Sequence, residues 1–191
     1  MIPVTVAVLA IAFQATGLDI ELRYDRHAIQ QGSLWLLISG NYVHLGWGHV
    51  ILNLAGLFMV WWFFIGDFKQ YEWLVIFLVS GLFVTCGLYL FNPHLIWYVG
   101  LSGLLHGLFL AGGLRLLATE FKFAAVLIIA IVGKLMYEQM MGSLPGTSEM
   151  SGGPVVVNSH LFGAIGGVVS FILLWIVGKL GGTKNAGEMS E

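Results

Sequence analysis

Asn158-Ser159-His160-Leu161-Phe162-Gly163-Ala164-Ile165-Gly166-Gly167 puts a histidine and a run of glycines near the start of an apolar segment, 155–178. At about 1.5 Å of helical rise per residue, such a segment crosses a hydrocarbon core of about 30 Å. A histidine inside it is costly and marks a functional position. Five further apolar segments precede it, at 2–16, 47–65, 71–90, 96–117 and 121–141. The chain has 191 residues, 58% hydrophobic and 9% charged. A soluble domain carries about 25% charged residues. Here the few charges cluster between long apolar runs, so the expected class is an all-α polytopic membrane protein with six transmembrane helices. The length suits one domain, 1–180, followed by a short polar tail at 181–191 that is expected to be disordered.

The first segment lacks a positively charged start and a clear Ala-x-Ala exit, so it reads as a retained helix rather than a signal sequence. Two connections are long. The first, 17–46, has a charged half with Asp19, Glu21, Arg23, Asp25 and Arg26, then an apolar half from Leu34 to Val43. That half suits the membrane interface, with Trp35, Tyr42 and Trp47 as anchors. The second, 142–154, is rich in Gly, Ser and Pro and is expected to be irregular or flexible. Connections after the second, fourth and sixth spans carry Lys69, Arg115, Lys122, Lys179 and Lys184, against Arg23 and Arg26 on the other side. Positive-inside counting therefore puts both termini in the cytoplasm. Net charge is −2 with no basic tract, which argues against a nucleic-acid partner. The single cysteine, Cys86, has no partner for an intrachain disulfide.

Ser102 and His160 both begin outside-to-inside helices, so they are expected at similar depth near the outer face. Serine and histidine can make a nucleophile and its base. Ser102 can equally bond to its own helix backbone, with Gly100 and Gly103 serving packing. His160, Gly163 and Gly167 share one helical stripe, and Gly163-x-x-x-Gly167 is a small-residue packing motif complementary to Gly103-x-x-x-Gly107. It would bring the histidine helix against the serine helix. With no acid near His160 in sequence, a Ser-His dyad is expected. His49 and Asn53, four apart on the second span, can present donors to a developing negative charge or belong to a structural polar network. His44, His49, His106 and His160 can in principle gather a metal. Asn53 is an unusual ligand, however, and no glutamate of a zincin motif accompanies His49, so no metal and no cofactor are expected. His106 lies one turn below Ser102. Lys134 and Glu138 form an i,i+4 couple or a shielded charge within the bundle. His27 and His94 fall in connections and read as surface residues.

Three motifs in order, His49-x-x-x-Asn53, Gly100-Leu101-Ser102-Gly103 and His160-x-x-Gly163-x-x-x-Gly167, resemble the rhomboid intramembrane serine proteases. The resemblance runs from about Leu34 to Gly178. Within that family, Tyr24-Asp25-Arg26, Asn41-Tyr42-Val43-His44-Leu45-Gly46-Trp47-Gly48-His49 and Gly100-Leu101-Ser102-Gly103-Leu104-Leu105-His106-Gly107 look like the rhombosortase branch, as does Ser159-His160-Leu161-Phe162-Gly163-Ala164. The resemblance implies a rhomboid-like six-transmembrane helix bundle in the bacterial inner membrane, with its active site near the periplasmic face. Its substrates would be secreted or surface proteins ending in a Gly-Gly motif, an apolar helix and a basic end. Ser102 would be the nucleophile and His160 the base. His49, Asn53 and the Ser102 amide would form the oxyanion hole, with Gly100, Gly103, Gly163 and Gly167 packing the site. His44 and His106 would lie just behind it, His106 where many rhomboids stack a tyrosine on the catalytic histidine. Trp35 matches the tryptophan of a Trp-Arg pair in the first long loop, but Leu36 stands in place of the arginine. Competing readings are a rhomboid-like client-binding protein without proteolysis, a rhomboid protease without Gly-Gly preference, and a small transporter. A transporter would need a continuous polar path, whereas the polar residues here gather near one face.

Overall fold

A computed structural model describes residues 1–188, with side chains described as far as Lys179. Helix α1 (Ile2–Thr16) leads to α2 (Asp19–Leu22), strand β1 (Tyr24–Asp25), α3 (Arg26–Gln30) and α4 (Leu36–Ser39). The long helices α5 (Trp47–Phe64) and α6 (Gln70–Phe91) follow. Strand β2 (Trp97–Tyr98), α7 (Ser102–Leu116), α8 (Phe121–Met141), the short α9 (Thr147–Ser151) and α10 (Val157–Glu188) complete the chain. The helical class is as expected. Among the described residues, three helices are long and apolar enough to cross a membrane: Trp47–Phe64, Gln70–Phe91 and Val157–Lys179. Helix α1 is apolar but has 15 residues, α7 also has 15, and the 21 residues of α8 include Lys122, Lys134 and Glu138. The polar tail expected from residue 181 continues α10 as far as Glu188, and its last residues, 189–191, lie outside the described residues.

Helix α7 is the core of the bundle. It packs against α5, α6, α8 and α10, and buries Leu104, Leu105, Leu108, Leu110, Ala111 and Leu116 along nearly its whole circumference. Lipid supplies no hydrophobic drive between helices, so close packing must come from shape. The glycines provide it. A Cβ on Gly163 would overlap the carbonyl of Gly103, one on Gly167 the carbonyl of Gly107, and one on Gly103 the carbonyl of Ser159. The two backbones therefore touch along one seam, as the small-residue stripe predicts. On the far side of α10, a Cβ on Gly87 of α6 would strike the Phe162 ring.

The segment 96–117 is not one helix. Trp97 and Tyr98 pair antiparallel with Asp25 and Tyr24, and Gly100 has φ 126°, a conformation a side chain would strain. Helix α7 starts only at Ser102. An apolar strand and an apolar helix look alike over so few residues, so the sequence does not distinguish β2 from the first turn of a helix.

The connection 17–46 folds into a cap on the end of α6. Arg26 anchors it. Its guanidinium donates to the carbonyls of Leu88, Tyr89, Asn92 and Leu95 at 2.9–3.0 Å, and lies 4.7 Å from the Tyr89 ring centroid. Leu88 and Tyr89 lie in the last turn of α6, and Asn92 and Leu95 in the connection just beyond it, so one planar cation gathers carbonyls from the end of the helix and from the chain leaving it. Thr85 Oγ1 donates to the Leu37 carbonyl at 2.6 Å, and the Gly100 amide donates to the Gly40 carbonyl at 3.1 Å. Trp35 and Trp47 are exposed and Tyr42 is half-buried. The connection 142–154 is less irregular than its composition suggests, because it forms the single turn of α9. That turn rests on the start of α5, where a Cβ on Gly48 would meet the Met150 carbonyl at 2.8 Å.

Candidate active site

Connections α1–α5, α6–α7 and α8–α10 meet at one end of the bundle. The starts of α5, α7 and α10 and the end of α8 converge there, and each carries a polar side chain. Ser102 is the first residue of α7. The φ of 126° at Gly100 turns the chain into the helix, and a Cβ there would lie 2.8 Å from the His49 ring. Glycine is thus required twice, for the turn and for the approach of His49.

Ser102 Oγ lies 2.9 Å from His160 Nε2. The α7–α10 seam sets this distance, since no side chain separates the two helices at Gly103 and Gly163. His160 Nδ1 lies 2.7 Å from Glu138 Oε2. The other oxygen of Glu138 accepts from Lys134 Nζ at 2.6 Å, the i,i+4 couple that is one of the two sequence readings of this pair, and that Nζ also lies 3.4 Å from His160 Nδ1. No acid lies near His160 in sequence, but one does in space, contributed by α8 from 22 residues earlier. The serine–histidine pair thus has a carboxylate behind it. His106 stacks on His160, with ring centroids 4.3 Å apart and planes 21° apart. Its Nδ1 lies 2.7 Å from the Ser102 carbonyl, which can only accept, so His106 carries hydrogen on Nδ1.

His49 and Asn53 share one face of α5 and, with Ser102 and His160, line a cavity of about 620 Å³. The Leu45 amide donates to His49 Nδ1 at 3.4 Å, a long contact. A neutral ring that accepts at Nδ1 carries its hydrogen on Nε2, where it can serve as a donor. Asn53 Nδ2 is buried and has no partner among the described residues. His44 lies behind His49, edge to face at 5.0 Å. Burial first, and His49 second, push the His44 pKa down to about 3, so its ring is neutral near pH 7. Neither of its nitrogens has a hydrogen-bond partner among the described residues.

The four histidines do not gather around one point. His44 pairs with His49, and His106 with His160. The nitrogens of His106 and His160 and a Glu138 oxygen do lie within 4.8 Å of one another. Those of His160 are already directed at Ser102 and Glu138, however, and the Lys134 ammonium sits on the carboxylate. A cation would have to displace an ammonium, so the donor set suits proton handling better than metal binding.

The site brings together Ser102, His160, His49, Asn53 and His106, with Gly100, Gly103, Gly163 and Gly167 at places where a Cβ would crowd a neighbouring backbone or ring. Glu138 and Arg26 are the two residues whose placement the sequence reading missed. A signal for Glu138 existed: charge counting puts the end of the fifth span and the start of the sixth at one face. Arg26 stands in the Tyr24-Asp25-Arg26 stretch, but nothing local shows its role, because its partners lie 62–69 residues away.

A family model described as Rhomboid domain matches residues 31–177, which include every residue of this site. No curated protein matches the chain.

Proposed function

The chain belongs to the rhomboid family of intramembrane serine proteases, and on that premise we propose that it is a serine endopeptidase working through Ser102 and His160. The observation that carries the proposal is the 2.9 Å contact between Ser102 Oγ and His160 Nε2 in the wall of a cavity that His49 and Asn53 also line. His160 takes the hydroxyl proton as Ser102 attacks the scissile carbonyl. Negative charge develops on that oxygen. The Asn53 amide, the His49 Nε2–H and the Ser102 backbone N–H are the donors for it. His160 returns the proton to the leaving amine and an acyl-enzyme remains. Water then attacks the ester, giving its proton to His160, and Ser102 regains a hydrogen as the acid leaves. The substrate helix must unwind at the cut, because a helical carbonyl is held in an internal hydrogen bond.

The finer assignment follows the same residues. The quoted stretches around Tyr24, His44, Ser102 and His160 favour the rhombosortase branch. The substrate is then a secreted or surface protein with a C-terminal Gly-Gly motif, an apolar helix and a basic end, whose sorting tail is removed. All six apolar helices, α1, α5, α6, α7, α8 and α10, cross the bilayer in this reading. Both termini face the cytoplasm of a bacterium and the site opens near the periplasmic face of its inner membrane. The distribution of Lys and Arg supports that orientation.

The test is cleavage by the purified protein in liposomes. A Gly-Gly-tailed membrane substrate is compared with one whose tail glycines are replaced, and mass spectrometry locates the cut. Cleavage lost in Ser102→Ala supports the proposal, and cleavage retained by that variant sinks it. Equal cutting of both substrates would leave a protease without the tail preference. No cutting, together with no labelling of Ser102 by a fluorophosphonate, would leave a client-binding protein.

A further inference from the structure

Glu138 and Lys134 have no task in the scheme above, yet they sit against its base. We propose that Glu138 is a positioning residue of the reaction, holding His160 with a bare Nε2 toward Ser102, and that Lys134 fixes Glu138 in turn. The inference rests on the assignment of Ser102 and His160 as nucleophile and base.

Three facts carry it. The first is the direction of the hydrogen bond. With Lys134 donating to Oε1 at 2.6 Å, Glu138 is an acceptor at both oxygens. His160 Nδ1, 2.7 Å from Oε2, is then the donor. A neutral imidazole has one N–H, so Nε2 is left as an acceptor for the Ser102 hydroxyl. The other tautomer would place a hydrogen between Nε2 and Oγ, and the ring could not take the proton. The second fact is burial. Glu138 is 2% exposed and His160 4%. A buried carboxylate is expensive unless paired, and Lys134, one turn earlier on α8, supplies the pair. A pair serving only to shield a charge would not need its second oxygen on the imidazole. The third fact is that the ring is held elsewhere too. His106 covers its face, and Ser102 meets its tip. Glu138 is the group that fixes rotation within the ring plane.

When Nε2 takes the serine proton, the imidazolium faces the Glu138 anion. The carboxylate stabilises that charge and takes no proton itself. With Nδ1–H committed to Glu138, Lys134 acts through the carboxylate alone. Glu138 comes from a different helix than Ser102 or His160, so α8 is bound to the α7–α10 seam by the hydrogen bonds of the site.

The experiment uses the full chain in liposomes with a substrate that the wild type cuts and Ser102→Ala does not. That comparison tests the underlying assignment by itself. Glu138→Gln, Glu138→Asp and Lys134→Met are then measured. Sites are counted by the endpoint of fluorophosphonate labelling, and activation of Ser102 by its rate. Glu138→Gln should lower kcat per labelled site by about a hundredfold or more, with KM within about twofold and labelling slowed in parallel. Glu138→Asp should recover part of the loss, and Lys134→Met should fall between Glu138→Gln and the wild type. If Glu138→Gln gives too few labelled sites, the double variant Lys134→Met, Glu138→Gln removes both charges of the pair and is read in the same way. A kcat per site within about threefold of wild type would overturn the proposal and leave the serine and histidine assignment standing. Loss of labelled sites in both variants would assign the carboxylate to folding and overturn it too. Cleavage by Ser102→Ala would instead show that the assignment beneath it fails.

Discussion

Asn53 Nδ2 is a buried donor with no acceptor among the described residues, a condition that costs roughly 1–3 kcal/mol. A site that stabilises charge only during reaction must leave its donors open beforehand. Asn53→Ala should therefore leave the melting temperature near or above that of wild type, while kcat falls by about 10²–10³ with little change in KM. Kinetics and thermal unfolding on one preparation check both halves, and an unchanged kcat would remove Asn53 from the oxyanion hole. His44 makes a different prediction. Its folded pKa, about 3, lies below its ordinary value of 6.5. The unfolded chain therefore binds a proton that the folded ring refuses, and its stabilising contribution is lost as pH falls from 6.5 toward 3. His44→Leu should lose less stability between pH 7 and pH 5 than the wild type does. Parallel losses would show that the folded ring takes up the proton. At this scale Ser102 and His160 were legible because a polar residue in an apolar run has few ordinary explanations. Glu138 was not assigned to His160, because the contact joins two helices and local spacing shows only its partner Lys134.

The α7–α10 seam gives the element scale its sharpest contrast. A Cβ on Gly163 would overlap a backbone carbonyl, whereas one on Gly133 of α8 would meet nothing within 4 Å. Gly163→Ala should cost about 1–3 kcal/mol and widen the seam, lowering activity more than stability because the 2.9 Å contact spans it. Gly133→Ala should be neutral or slightly stabilising. Thermal unfolding beside the cleavage rate decides, and equal tolerance at the two positions would show that the helices do not meet on their backbones. The stripe was readable because residues at i, i+3 and i+7, His160, Gly163 and Gly167, share one face of a helix. The start of α7 was not, since Ile96 to Val99 are apolar whether they form a helix or pair with β1. What settles the matter is a partner strand at Tyr24 and Asp25, far outside any local window.

For the whole molecule, the six-span reading predicts that tags at both ends are reached from the cytoplasmic side of intact cells, and a tag within 142–154 only from the other. A terminus reached from the outer side would remove one crossing. The three long helices are plain from hydropathy alone. The other three, α1, α7 and α8, are shorter or carry charges, so composition leaves them ambiguous; packing joins them to the rest, α7 against α5, α6, α8 and α10, and α1 against α5 and α6. Arg26 has a consequence for how such a bundle is made. Its carbonyl acceptors run from Leu88 to Leu95, and β1 waits for Trp97 and Tyr98. The ribosome must therefore deliver all of α6 and the turn beyond it before the first long connection has anything to close upon. The segment synthesised second in the chain is finished only after the third apolar helix, and until then its arginine needs water or a chaperone for company.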